Sequence, residues 1–152
     1  MNNTEFNLSD AIGAIEEVLG GGGEFRMFPK GVSMMPLIRQ GKDSVVLRRR
    51  EEMPARKHDI AFYRRADESF VLHRVMKIKK DGSYVMCGDN QYEFEDGVPA
   101  DRIIAYVSHV YRQNRRISVR SPLYRLYVFA WTKMPVRKAA NKIRALFKGK
   151  AK

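Results

Sequence analysis

Cysteine is almost missing from this chain. Cys87 is the only one among 152 residues, so no internal disulfide braces the fold. A lone thiol fits a reducing compartment. Long apolar runs are missing as well. The oily stretch "LYVFAW" near the C-terminus falls far short of the roughly 18 apolar residues that span a bilayer. The N-terminal "MNNTEFNLSD" has neither the basic nor the apolar region of a secretory signal. These absences lead us to expect a cytoplasmic protein, soluble or held peripherally on the inner face of the membrane, with no transmembrane segment. Histidine is scarce, with only His58, His73 and His109. No cofactor or metal is expected.

Acid is missing from one region only. Residues 1–111 carry 16 Lys+Arg against 17 Asp+Glu, whereas residues 112–152 carry 13 Lys+Arg and no acid. The net charge of +12 therefore belongs to the C-terminal extension. A basic tail on a near-neutral body suggests an anionic surface as partner. Hydrophobic residues make up 44% of the chain, which is enough to fill a core.

Residues 8–19, "LSDAIGAIEEVL", carry apolar side chains at helical spacing, with Ser9 as N-cap, and "GGGG" at 20–23 ends the helix. Short segments rich in Val, Ile, Phe and Tyr follow, such as "DSVVLRRR", "DIAFYRR" and "RIIAYVSHVYR". The spacing predicts about six or seven short strands, with a hairpin through Asp81-Gly82. The fold class is therefore mainly β, flanked by an N-terminal helix and a basic C-terminal helix. We divide the chain into 1–24 (helix and Gly-rich joint), 25–111 (β domain) and 112–152 (basic extension). "YRLYVFAW" reads as a strand or the start of a helix. From near Pro135 an amphipathic helix is expected, with Val136, Ala139, Ala140, Ile143, Leu146 and Phe147 on its oily side.

Residues 31–36, "GVSMMP", set one hydroxyl among apolar neighbours. Ser33 is either a turn serine or a nucleophile, and a nucleophile needs a base. His58 lies in a charged loop and His109 near the end of a strand, and both read as packed or solvated surface residues. His73 lies inside "FVLHRV", apolar on both sides. It is either a satisfied core histidine or a base.

Three boxes in order, "GVSMMPLI", "VLHRV" and "GDN" at 88–90, resemble the signal peptidase I and SOS-repressor-type (S24/S26) serine peptidase superfamily. The likeness covers roughly residues 28–107, and "HR" at 73–74 resembles the Ser-His branch rather than the Ser-Lys one. The chain is also similar to short soluble bacterial S24/S26 peptidases. The resemblance implies the signal-peptidase β fold and a serine endopeptidase that cleaves precursor proteins or peptides. Ser33 would be the nucleophile and His73 the general base. Asp96, or else Asp89 of the "GDN" box, would orient the imidazole. The Ser33 N–H would be an oxyanion donor, and Met34, Met35, Leu37 and Ile38 would line the substrate cleft.

The chain departs from this pattern at two points. Gly31 stands where bacterial relatives place a second oxyanion donor, and "GKD" at 41–43 shifts the usual Gly-Asp by one residue. Asp43 fills that role or is a turn or surface charge. These departures fit an alternative, a non-catalytic peptide-binding pseudoenzyme of the same fold. A self-cleaving repressor is the least favoured expectation, since about 24 residues precede the β region, room for one helix rather than three, and no small-residue cleavage site stands ahead of Ser33. For residues 124–152 we expect contact with an anionic membrane surface through Tyr124, Tyr127, Phe129, Trp131 and cations such as Arg137, Lys138, Lys142, Arg144 and Lys148, rather than specific nucleic-acid binding.

Overall fold

The period-two segments form one antiparallel sheet. The computed structural model describes the backbone of residues 8–149 and the side chains of 11–146. Helix α1 (Leu8–Gly20) is followed by β1 (Phe25–Met27), β2 (Ser44–Arg49), β3 (Ile60–Arg64), β4 (Phe70–Ile78), β5 (Tyr84–Cys87), β6 (Glu95–Val98), β7 (Ile103–Arg112) and β8 (Arg115–Ser118). Helices α2 (Pro122–Trp131) and α3 (Met134–Gly149) complete the chain. The strand order is β1-β2-β7-β3-β4-β5-β6, with β8 on β7. The expected hairpin is β4–β5. The side chains of Ser9 and Phe147, assigned roles from the sequence, lie outside the described residues.

The long strand β7 organises the sheet. Its one edge pairs with β2. On the other, β3 takes the first half and β8 the second. Ile15 and Leu19 of α1, with Leu47, Ile60, Val75, Ile103 and Val107 of the strands, share one core. Burying each such side chain contributes about 1.5–3 kcal/mol.

The boundary expected between residues 111 and 112 falls inside β7, and β8 pairs back onto it. "LYVFAW" belongs to a helix. Ser121 accepts from the Tyr124 N–H at 3.4 Å and Pro122 occupies the first turn, a start signal that outweighs the strand-forming residues after it. Tyr124, Val128 and Trp131 are buried against the domain. Tyr124 and Trp131 were expected to face lipid. Their spacing of seven residues instead turns both inward.

Candidate active site

Strand alternation puts adjacent residues of β4 on opposite faces. Arg74 and His73 are both buried, and each meets a different partner set.

On one face, Arg74 Nε and Nη2 donate to Asp89 Oδ1 and Oδ2 at 2.7 and 2.6 Å. Arg74 Nη1 donates to the His58 carbonyl at 2.7 Å. Both side chains of the pair are fully buried. Burial, the largest single influence, pushes the Arg74 pKa down, but the charge of Asp89, then Tyr124, and the hydrogen bonds to both together outweigh it and hold the guanidinium pKa above its usual value. Arg137 of α3 approaches the same carboxylate at 3.8 Å and is itself fully buried. It donates to the carbonyls of Trp131, Gly88 and Gln91 at 3.1, 3.2 and 2.9 Å. The sequence placed Arg137 among the lipid-facing cations. The structure corrects this, because the "GDN" turn offers a cluster of carbonyls and an anion that only a long, multidentate cation can satisfy.

On the other face, Tyr63 Oη stands 3.3 Å from His73 Nδ1 and donates to Glu95 Oε2 at 2.8 Å. Arg65 Nε donates to the same Glu95 oxygen at 2.9 Å. The single phenolic proton goes to the carboxylate. The Tyr63 oxygen therefore accepts, and the proton between the rings sits on His73 Nδ1. Burial, reinforced by Glu95, raises the Tyr63 pKa and keeps that proton in place. His73 Nε2 is left as an acceptor, with no hydrogen bond among the described residues. Its ring lines a cavity of about 720 Å³ with Met86, Gln91, Tyr92 and Glu95. Burial first, then the Arg65 charge, lower the His73 pKa to about 4, against the smaller opposing pull of Glu95 and Asp89. The imidazole is therefore neutral at pH 7.

Neither expected aspartate touches this imidazole. Asp96 is largely exposed and pairs with Lys79 at 2.8 Å. Asp89 is consumed by the arginines. The acid that reaches His73, through Tyr63, is Glu95. Parity could have shown this: Met86 pairs with both Val75 and Glu95, so Glu95 shares the face of His73, while Asp96 faces the other way.

The loop carrying Ser33 closes over the same region. The Ser33 carbonyl accepts from the Asn90 N–H at 2.8 Å. A Cβ on Gly88 would lie 2.8 Å from that carbonyl and 2.7 Å from the Gln91 side chain, so only glycine allows the approach. Continuing the Arg74–Cys87 register by one residue sets Gly88 across from His73. The loop is tied at its base by Asp43, which is fully buried rather than a surface charge. Asp43 takes Arg39 Nε and Nη2 at 2.8 and 2.9 Å and the Arg39 N–H at 2.9 Å. Hydrogen bonding by Arg39 holds its carboxyl below the usual range.

Ser33 itself is half-buried, and its N–H has no partner among the described residues. It lines an apolar cavity of about 510 Å³ with Phe28, Met34, Ile38, Phe70 and Leu72, walled on one side by Ile12 and Ile15 of α1. Ser33 Oγ makes no hydrogen bond to His73 among the described residues. Of the expected cleft residues, Met34 and Ile38 line this cavity, whereas Leu37 lines a different cleft and Met35, half-buried, lines neither. Gly31 has φ +90°, a conformation that a serine or threonine side chain resists, which accounts for the missing hydroxyl.

The other histidines stand elsewhere. His109 lies on β7 against Ser108 and Arg116. His58, expected to be solvated, is half-buried. Its pKa falls to about 4, chiefly through burial and then through the charges of Lys57 and Arg74. No protein-family model matches this chain, and no curated protein matches it at a significant level.

Proposed function

We propose that this protein is a serine endopeptidase resembling signal peptidase I, with Ser33 as nucleophile and His73 as general base. The observation that carries this reading is the state of His73. It is a neutral imidazole, held through Nδ1 by a tyrosine and, through it, a carboxylate, with Nε2 free of hydrogen bonds among the described residues and the Ser33 carbonyl packed against Gly88, across the β4–β5 register from His73. Ser33 Oγ attacks the scissile carbonyl carbon while its proton passes to His73 Nε2. The oxyanion forms against the Ser33 N–H, which has no partner among the described residues. Collapse of the tetrahedral adduct breaks the C–N bond, and His73 returns its proton to the leaving amine. Water activated by the same nitrogen then hydrolyses the acyl-enzyme.

The Ser33–His73 hydrogen bond belongs to the substrate complex, formed when a peptide enters the apolar cavity and shifts the loop. That cavity favours peptides with apolar side chains near the scissile bond. The test is a peptide mixture incubated with wild type and with Ser33→Ala, with product termini read by mass spectrometry. New termini made by wild type alone support the reading, and identical termini overturn it. A second reading, a peptide-binding pseudoenzyme, is favoured by the absence of a Ser33–His73 hydrogen bond among the described residues and by Gly31. It predicts capture of apolar peptides without turnover.

A further inference from the structure

Amphipathic helices normally turn their apolar side inward. Helix α3 does the reverse. The residues it turns to the domain are polar: Arg137 sits in the carbonyl cluster, Asn141 Nδ2 donates to Tyr92 Oη at 2.7 Å, and the Arg144 guanidinium lies 5.8 Å from the Trp131 ring centre. Its apolar residues Val136, Ile143 and Leu146 are 43%, 53% and 64% exposed. The preceding helix also exposes apolar residues. Leu123, Leu126 and Phe129 follow one another at three-residue spacing and are 79%, 66% and 57% exposed. Six large apolar side chains on two consecutive helices thus face outward.

Cations surround them. Arg125, Lys133, Lys138 and Lys142 are exposed and make no ion pair with an acid among the described residues. A cleft of about 460 Å³ opens beside Leu123 and collects Arg112, Arg115 and Arg116, likewise without acidic partners among the described residues.

We propose that α2 and α3 form a docking surface for an anionic phospholipid bilayer. The apolar side chains enter the headgroup–acyl boundary and the cleft arginines hold lipid phosphates. Charge selects this occupant. Residues 112–152 contain 13 Lys+Arg and no acid, so a second copy of the chain would meet its own charge. Nucleic acid would satisfy the cations but not the Leu, Val and Ile side chains, which offer no ring for stacking. No helix among the described residues is long and apolar enough to cross a membrane, so contact is interfacial. Arg137 and Asn141 tie α3 to Gln91 and Tyr92, which line the His73 cavity. Docking therefore holds that cavity beside the bilayer.

The test is flotation of the full chain with vesicles of phosphatidylcholine alone or mixed with phosphatidylglycerol. The expected result is binding only to the mixed vesicles, weakened by salt and not by inorganic phosphate at the same ionic strength. Leu126→Asp and Ile143→Asp, at exposed positions that leave the fold intact, should each weaken partitioning roughly tenfold. Arg115→Glu with Arg116→Glu should weaken it by a similar factor. Equal binding to both vesicle types, no binding, or unchanged binding by the aspartate variants overturns the proposal. So does duplex DNA bound more tightly than vesicles, or a dimer that the aspartate variants abolish. Binding is expected to be the same for Ser33→Ala, so it stands or falls separately from peptidase activity.

Discussion

The two faces of β4 treat buried charge in opposite ways. On the Arg74 face the carboxylate of Asp89 meets two fully buried guanidiniums, and nearby carbonyls take most of the remaining donors. On the His73 face the network is open-ended: Glu95, Tyr63 and His73 form a chain whose last atom, Nε2, has no hydrogen-bond partner among the described residues, and the His73 ring lines a cavity. The Arg74 face leaves one buried donor, Arg137 Nη2, without a hydrogen bond among the described residues, but that donor sits 3.8 Å from the Asp89 carboxylate and is closed off from any cavity mouth by its full burial. A network that ends on an unpaired acceptor beside a cavity is arranged for a ligand. The "GDN" box serves the first face as the anchor to which α3 and the Ser33 loop are tied.

If this division is right, the two faces fail differently. His73→Gln, which keeps most of the buried volume, should lower peptide cleavage by about 10²–10⁴-fold with a smaller shift in urea midpoint than Asp89→Ala. A loss of folding instead would move His73 to the structural side. Asp89→Ala should do the opposite, costing about 3–5 kcal/mol of stability in chemical denaturation, because it strands Arg74 and Arg137 in the interior. A midpoint close to wild type would show that water reaches those arginines.

Acid should weaken the His73 face selectively. The folded pKa of about 4 lies below the ordinary value of 6.5, so the unfolded chain binds the proton more readily. The stability from the neutral ring is complete above pH 6.5 and is lost as pH falls toward 4, at a cost on the order of 3 kcal/mol. His58 acts in the same direction. Denaturation midpoints that stay flat between these pH values would contradict the burial of both rings. The smallest effect is expected at Asp96, which is exposed. Asp96→Asn should leave both the denaturation midpoint and cleavage close to wild type, while Glu95→Gln should lower cleavage. The reverse ranking would restore Asp96 as the orienting acid.

The sheet was legible in the sequence because period-two patterning and turn residues such as Asp81-Gly82 are local signals. The site was legible only in outline. "GVSMMP", "VLHRV" and "GDN" do come together, with Ser33 bonded to Asn90 and Gly88 facing His73. Which acid serves which base depended on strand parity across β5 and β6, and no single segment carries that. Tyr63 gave no signal, since an aromatic residue in a strand reads as core. Arg137 was misplaced for a related reason. Helical periodicity separates polar from apolar faces but does not say which one meets the protein. Here a fully buried guanidinium overrides the apolar stripe, and the stripe is turned outward.

The most direct test of the account is a nitrogen-15 NMR titration of the His73 ring. The account predicts a neutral imidazole with the proton on Nδ1, unprotonated Nε2, and a midpoint near 4. A midpoint near 6.5, or a proton resting on Nε2, would contradict it.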